Sequence, residues 1–543
     1  MTRDPGDPPP PSAERSAERF AKRPAAQGGE RGESDPSPLR QITALDASDP
    51  PEAMVAIEEA SALEDARGVI RSGKLAGKSM WTAIWILALP VLLQQTMAAM
   101  VGMVDKLLAG NLPEGVVVPS MDAIGVGAYV VWFIGIAMSG LGLGGQAIIA
   151  RAMGRGDVRE AHETLGQSLM ISVIWGALVG VCMWLLAEPL ARFCRLSPEA
   201  IVHCRNYVGI IAISMPFCGV MMVGSMCMHG AGETTRPSLI AMAVNVVNLT
   251  FSWALSGVDL RFGEVTVSNP VPIDPSRFGV AGIAAGTALG YLFGALATLW
   301  VLRRGVKDLR LESRLLIPER FMVWRVVRIG VPNFLEGVAL WGANLFVMFF
   351  IGLAAAMRGD GEIGEGLIGA HMIAVQWEAF SFLPGFAMGI AAGAIAGQYL
   401  GAGSPELARR AIAACSLVAM AFMGCAGILF MFSGEFLTRL ISDSPVYLEH
   451  TPDLLLICGA VQIFFALGIV TRQGLRGVGD VTWTLVITVV TSFFVRLPLA
   501  WFLGVHLGYG LQGIWLGLCG EIVVRGLAFG GRFLSSAWER ARV

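Results

Sequence analysis

The chain has 543 residues, 54% of them hydrophobic and 15% charged, with a mean hydropathy of +0.62 and a formal net charge of −2. Soluble globular chains carry about 25% charged residues, so this composition describes an integral membrane protein, and the near-neutral balance excludes a strongly basic nucleic-acid surface. The nine cysteines form no C-x-x-C pair, the six histidines form no H-x-x-x-H pair and no G-x-x-x-x-G-K-[ST] stretch occurs, which argues against a disulfide framework, a metal-dependent enzyme and direct use of ATP.

Residues 1–75 open the chain with "DPGDPPPPSAERSAERFAKRPAAQGGERGESDPSP", which is rich in Pro, Gly and charge and has no apolar run. Such a segment cannot bury enough surface to offset its ordering entropy, so a disordered cytoplasmic N-terminal segment is expected. Within it, 51–72 has helix formers and a weak apolar stripe that fits a short surface helix. A membrane helix needs roughly 20 mainly apolar residues. Twelve segments qualify, near 82–110, 123–150, 165–187, 203–228, 236–258, 279–302, 329–357, 366–398, 408–432, 452–471, 481–505 and 510–531. One alternating set of loops holds Arg71, Lys74, Lys78, Arg151, Arg155, Arg159, Arg236, a cluster between Arg303 and Arg328, Arg409, Arg410, Arg472, Arg476, Arg532 and Arg540. The opposite loops are acidic, with Glu114, Asp122, Asp259, Glu264, Asp360 and Glu435. The basic loops belong inside, so both termini are expected to be cytoplasmic, in a multi-pass protein of the inner (plasma) membrane.

The sequence repeats itself. "ALPVLLQQ" (88–95) and "GVPNFLEG" (330–337) open spans 1 and 7; "IARAMGRGDVREA" (149–161) and "AGQYLGAGSPELA" (396–408) follow spans 2 and 8; "MHGAGETTRPSL" (228–239) and "LRGVGDVTWTL" (475–485) follow spans 4 and 10. The offsets are 242, 247 and 247 residues. Equivalent segments lie six spans apart, so the halves share one orientation about an axis along the membrane normal. The expected fold is all-α: twelve transmembrane helices in two pseudo-symmetric six-helix lobes with a central cavity. The N-lobe takes 80–302, a basic cytoplasmic linker 303–328, the C-lobe 329–531 and a tail 532–543. The loop 257–278 is long enough for a small external hairpin.

These stretches, with "LPVLLQQTMAAMVGMVDKLLAG", "MPFCGVMMVGSMCMHGAGETTRP", "GVAGIAAGTALG" and "IGAHMIAVQWEAFSFLPGFAMGIAAGAIAGQYLGAGSPELARRA", resemble the multidrug and toxic compound extrusion (MATE) transporters over residues ~80–530. The resemblance implies a cation-coupled exporter that works by alternating access on a small-molecule substrate in the lipid bilayer.

Ionisable residues inside the spans are functional candidates, because a charge at the centre of a membrane helix costs on the order of 2.5–3.5 kcal/mol on insertion scales. Asp105 lies fifteen residues after Pro90, a helix-bending hinge in span 1. On the residues alone, Asp105 is an ion site or an interfacial carboxylate beside Lys106. The resemblance implies that it binds the coupling ion with Asn248, Ser252 and Thr287 of spans 5 and 6, whose residue-level alternative is hydrogen bonding between helices. Ser252 stands where many relatives have a second acidic group or an Asn, which favours H⁺ over Na⁺, although Na⁺ at Asp105 stays open. Some relatives carry a C-lobe carboxylate pair where this chain has Leu340 and Phe465, so that second cation site is not expected. Glu336 fits either a cationic substrate or a basic loop residue. Glu378 lies seven residues after His371 among Trp377, Phe380 and Phe382; a carboxylate beside aromatic faces suits an amphipathic cation, or it bonds a neighbouring helix. Trp341 completes the substrate-binding set of Glu336, Glu378, Trp377 and Trp341. Glu521 and Arg525, four apart in span 12, form a structural ion pair on this reading.

The expected function is therefore cation-coupled antiport of amphipathic, cationic small molecules by a monomer, with no cofactor, resident metal, catalytic residue or nucleic-acid partner. The alternative is a lipid-linked precursor flippase of the same superfamily. Twelve spans and intramembrane carboxylates favour the exporter over flippases, which usually have fourteen helices and a cationic groove.

Overall fold

A computed structural model describes residues 78–113, 116–193, 197–262, 265–306, 308–357, 367–441 and 445–540. The segment 1–75, with its short surface helix at 51–72, lies outside the described residues, as does the side chain of Asp105. Span 1 is Met80–Gly110, span 2 Val117–Arg155, span 3 Val158–Phe193, span 5 Thr235–Ser256 and span 6 Pro275–Arg304. Span 7 is Arg320–Met357, span 8 Leu367–Gly401, span 9 Pro405–Arg439, span 10 Pro445–Gly477 and span 12 Gly510–Leu534. Span 4 is two helices, Pro198–Ile213 and Met215–Gly230, bent by 54°. The break falls at Ser214, two residues before Pro216; a proline nitrogen cannot donate to the preceding turn. Span 11 runs from Val481 to His506 with π-helical turns at Ser492–Arg496 and Phe502–His506. With the bent pair counted as one span, twelve helical units among the described residues are long and apolar enough to cross a membrane.

Two boundaries differ from the sequence reading. Span 7 starts at Arg320, so its first turns occupy part of the expected linker 303–328. Span 10 continues to Gly477, so Arg472 and Arg476, read above as loop charges, stand inside a helix. The loop after span 5 carries the expected hairpin: β1 Leu260–Phe262 pairs antiparallel with β2 Val265–Val267, Arg261 opposite Thr266.

Lipid tails are as apolar as leucine, so helices in a bilayer associate through close packing and hydrogen bonds, and small residues lead. The core that joins span 1 to the C-lobe follows this rule: Ala83, Ile84, Leu87 and Ala88 pack among Ala391, Ala392, Ile395, Ala408, Ala411 and Ala419. Spans 2 and 7 cross where a Cβ on Gly144 would overlap the Val326 carbonyl and one on Gly140 would crowd that of Gly330.

At the basic face the two lobes meet in a reciprocal seal. A Cβ on Gly154 would overlap the carbonyl oxygen of Gln398, and one on Gly401 would overlap that of Arg151. Both 154/401 and 151/398 are repeat partners at an offset of 247. The side chains complete the exchange. Arg151 Nη2 donates to the Val478 carbonyl at 2.6 Å, and Gln398 Nε2 donates to the Gly230 carbonyl at 2.8 Å.

The expected bend-prone point of span 1 is tied down by span 5. Pro90 leaves the Ile86 carbonyl, four residues earlier, without its helical donor. Thr234 Oγ1 donates to that oxygen at 3.1 Å, and Ser238 Oγ donates to the Pro90 carbonyl.

Candidate functional site

Three polar or aromatic groupings stand inside the bundle. The first lies in the N-lobe between spans 5 and 6. Gly286 packs its backbone against Ser252, where a Cβ would overlap the Ser252 nitrogen and Oγ, so the two helices touch. This contact brings three expected ion-site residues together. Asn248 Nδ2 donates to Thr287 Oγ1 at 2.8 Å and to Ser252 Oγ at 3.3 Å, and Ser252 Oγ donates to the Ile283 carbonyl at 3.1 Å. All three residues are buried. The Asn248 amide hydrogens and the Ser252 hydroxyl are used, but Asn248 Oδ1 is buried and accepts no hydrogen bond among the described residues. An acceptor left free in a dry site calls for a proton donor or a cation. Asp105 stands on span 1 one turn before Leu108 and Ala109, which pack in the cluster that holds Ile283 and Ala284. Its segment therefore lies beside the pocket.

The second grouping lines the contact between lobes. Phe133 of span 2 meets Trp341 and Phe334 of span 7 edge-on at 6.3 Å each, and Trp175 of span 3 meets Phe334 at 5.6 Å. Trp341 belongs to the expected substrate set. Phe133, Trp175 and Phe334 do not stand out in the sequence, because single aromatics in apolar spans look like packing residues. Trp377 is anchored elsewhere: its indole donates to the Leu437 carbonyl of span 9 at 3.1 Å, and its ring lies 6.0 Å from that of Phe380.

The third grouping is the charged interior of the C-lobe. Glu336 is fully buried, and its partner is a helix residue rather than a loop residue: Arg476 Nη2 lies 2.6 Å from Oε2. Thr488 Oγ1 donates to Oε1 at 2.8 Å, and Arg472 Nη1 lies 3.6 Å from the same oxygen. Glu521, also fully buried, has Arg496 Nη2 at 2.9 Å and Arg525 Nε at 3.4 Å, and Arg496 Nη1 donates to Asn344 Oδ1 at 2.8 Å. Among the described residues, Glu378 makes no side-chain hydrogen bond or ion pair; only its main-chain carbonyl is engaged, by Ser381 Oγ at 2.7 Å. His371 accepts from Trp515 Nε1 at 3.0 Å and stays in the core. No group of three or more His, Cys, Asp or Glu side chains able to hold a metal occurs among the described residues.

The family model described as MatE matches residues 90–254 and 360–502, together more than half of the chain. A "Probable multidrug resistance protein NorM" of Thermotoga maritima is 24% identical over 458 residues, covering 84% of this chain and 93% of that protein. "Multidrug resistance protein PmpM" of Pseudomonas aeruginosa is 25% identical over 437 residues, covering 80% and 86%. A solved structure described as the "Outward-facing conformation of a multidrug resistance MATE family transporter of the MOP superfamily" superposes with a TM-score of 0.73 at 21% identity, covering 85% of this chain and 97% of that one. The repeated lobes, the small-residue crossing between them and this match of sequence and fold place the chain in the MatE family of membrane multidrug efflux transporters.

Proposed function

We propose that this chain is a proton-coupled antiporter that exports amphipathic cations by alternating access. The observation that carries the reading is the Asn248 Oδ1 that accepts no hydrogen bond among the described residues, beside Ser252 and Thr287 and beside the segment of span 1 that bears Asp105. A protonated Asp105 carboxyl can donate to that oxygen; an ionised one cannot. Protonation therefore changes which neighbours span 1 prefers, and a ligand shifts a conformational equilibrium only by such differential affinity. Pro90 supplies the hinge, and the hydroxyls of Thr234 and Ser238 hold it in the arrangement described. With one carboxylate and otherwise neutral oxygens, the pocket suits a proton better than Na⁺.

The basic face is the cytoplasmic one on this reading, so the seal at Gly154 and Gly401 closes the cytoplasmic side and the protein stands outward-facing. Glu378 is a carboxylate within span 8 that makes no ion pair among the described residues, and with the Phe133–Trp341 aromatics it suits a cationic, ring-bearing substrate. Glu336 is saturated by Arg476 and Thr488 and holds the C-lobe together instead of meeting substrate. A second reading, flipping of an anionic lipid-linked precursor, draws on the four C-lobe arginines.

Proteoliposomes with pH and sodium gradients imposed separately test the proposal. A pH gradient alone should drive efflux of a fluorescent cation, and Asp105→Asn should abolish driven efflux while leaving substrate binding within a few-fold. Full efflux on a sodium gradient at zero pH difference would overturn proton coupling. Normal export by Asp105→Asn would overturn the site, and transfer of a labelled anionic lipid without cation export would favour the second reading.

A further inference from the structure

Four guanidinium groups in the C-lobe interior share two carboxylates. Each carboxylate has one close arginine and one distant one. Glu336 pairs with Arg476 at 2.6 Å and has Arg472 at 3.6 Å; Glu521 pairs with Arg496 at 2.9 Å and has Arg525 at 3.4 Å. The third carboxylate, Glu378, makes no ion pair with any described residue. The two arginines left with the poorer geometry, Arg472 of span 10 and Arg525 of span 12, line one and the same cavity, of ≈ 20 Å³. Its remaining walls are apolar, among them Phe465, Ile469, Ile522 and Phe529. Arg472 also has a buried Nε with no hydrogen-bond acceptor.

We propose that this cavity binds one small inorganic anion of the chloride class between Arg472 and Arg525. With all seven groups ionised, arginine exceeds carboxylate by one charge. An uncompensated charge out of water is destabilising, and a bound anion removes that penalty in the cavity that the two least satisfied guanidiniums line. Size selects the ligand. A cavity of this volume takes one water-sized particle, since about 10–15 Å³ suffices for a water. Spans 10 and 12 touch beside it, where a Cβ on Gly526 would overlap the Phe464 carbonyl oxygen, so a larger carboxylate-bearing molecule would have to push the two helices apart. The site is separate from the proposed proton site, which lies in the other lobe, and holds whether or not that reading does.

Equilibrium binding of radioactive chloride to the detergent-purified full chain in gluconate buffer tests the proposal. One chloride per chain should bind saturably, with bromide competing and gluconate not. Arg472→Gln and Arg525→Gln should each weaken binding at least tenfold while the chain still elutes as a folded monodisperse species. Should either variant fail to fold, bromide-soaked crystals of the unaltered protein decide: an anomalous peak between the two guanidiniums supports the site. No saturable chloride binding by the unaltered protein, wild-type affinity in both variants, or a cavity occupied by water alone in bromide would each overturn it.

Discussion

The two lobes share a backbone and differ in what they bury. Gln94 and His229 meet in the N-lobe, Oε1 to Nε2 at 3.2 Å. Their repeat partners, at offsets of 242 and 247, are Glu336 and Arg476, which meet at 2.6 Å. The same place thus holds a neutral hydrogen bond in one lobe and a salt bridge in the other. Further along, Gly286 packs on Ser252 and Gly517 packs on Ala500. This contact equates Asn248 with Arg496 and Gly290 with Glu521, so a neutral amide beside a glycine in one lobe becomes an ion pair in the other. A lobe made rigid by buried charge pairs resists repacking, because separating such a pair strands both charges. A lobe joined by neutral bonds, each worth about 0.5–1.5 kcal/mol net, repacks at low cost. On the proposed alternating-access function, the difference predicts that the N-lobe moves and the C-lobe supports it.

The sharpest break of this comparison is Glu336→Gln. Removing one partner of a buried pair typically costs about 3–5 kcal/mol, so thermal unfolding in detergent should show a large fall in Tm. Adding Arg476→His, which installs the N-lobe pair in the C-lobe, should recover most of the loss. A double variant no better than the single one would mean that charge is not what separates the lobes. A smaller effect is expected at the seal. Gly154→Val or Gly401→Val overpacks the crossing by about 1–3 kcal/mol and should favour the state open to the cytoplasm. A cysteine placed at Ala391, buried in the closed core, should then react faster with a thiol reagent applied from the cytoplasmic side, by about the same factor for either substitution. Smaller still, Glu378→Gln should change the preference between cationic and neutral substrates a few-fold and leave the proton dependence of efflux unaltered; equal loss on all substrates would count against a substrate role. Deleting residues 1–70 should leave efflux unchanged at equal membrane abundance.

Much of the architecture was legible because its determinants are periodic or repeated. Apolar length gave the spans, loop charge their alternation, and Gly-rich stretches such as "GVAGIAAGTALG" marked where helices touch. Asn248 and Ser252 were legible as neighbours from their four-residue spacing, and Thr287 from the resemblance. The C-lobe pairs were not. Arg472 and Arg476 end an apolar run, where a long cation reads as a loop residue, and the carboxylate that Arg476 bonds, Glu336, lies 140 residues earlier in sequence. The equivalence of Asn248 and Arg496 was hidden for a different reason. A constant offset of 247 pairs Asn248 with Val495. The π-helical turn at Ser492–Arg496 admits one extra residue and moves the register by one. No local signal in that stretch announces the wider turn.

The reciprocal crossing at Gly154 and Gly401 bears on leakage. Each lobe presents to the other the same glycine and the same carbonyl, so a rotation of the lobes that frees one contact frees its twin. A half-open passage would keep only one of two equal contacts and gain no water access to repay the loss. The barrier therefore behaves like a double-pole switch, with both poles thrown together. For a transporter coupled to an ion gradient, as proposed above, this matters as insulation: an intermediate wetted from both sides would short-circuit the membrane that powers it, and the twofold placement of the contact works against such an intermediate.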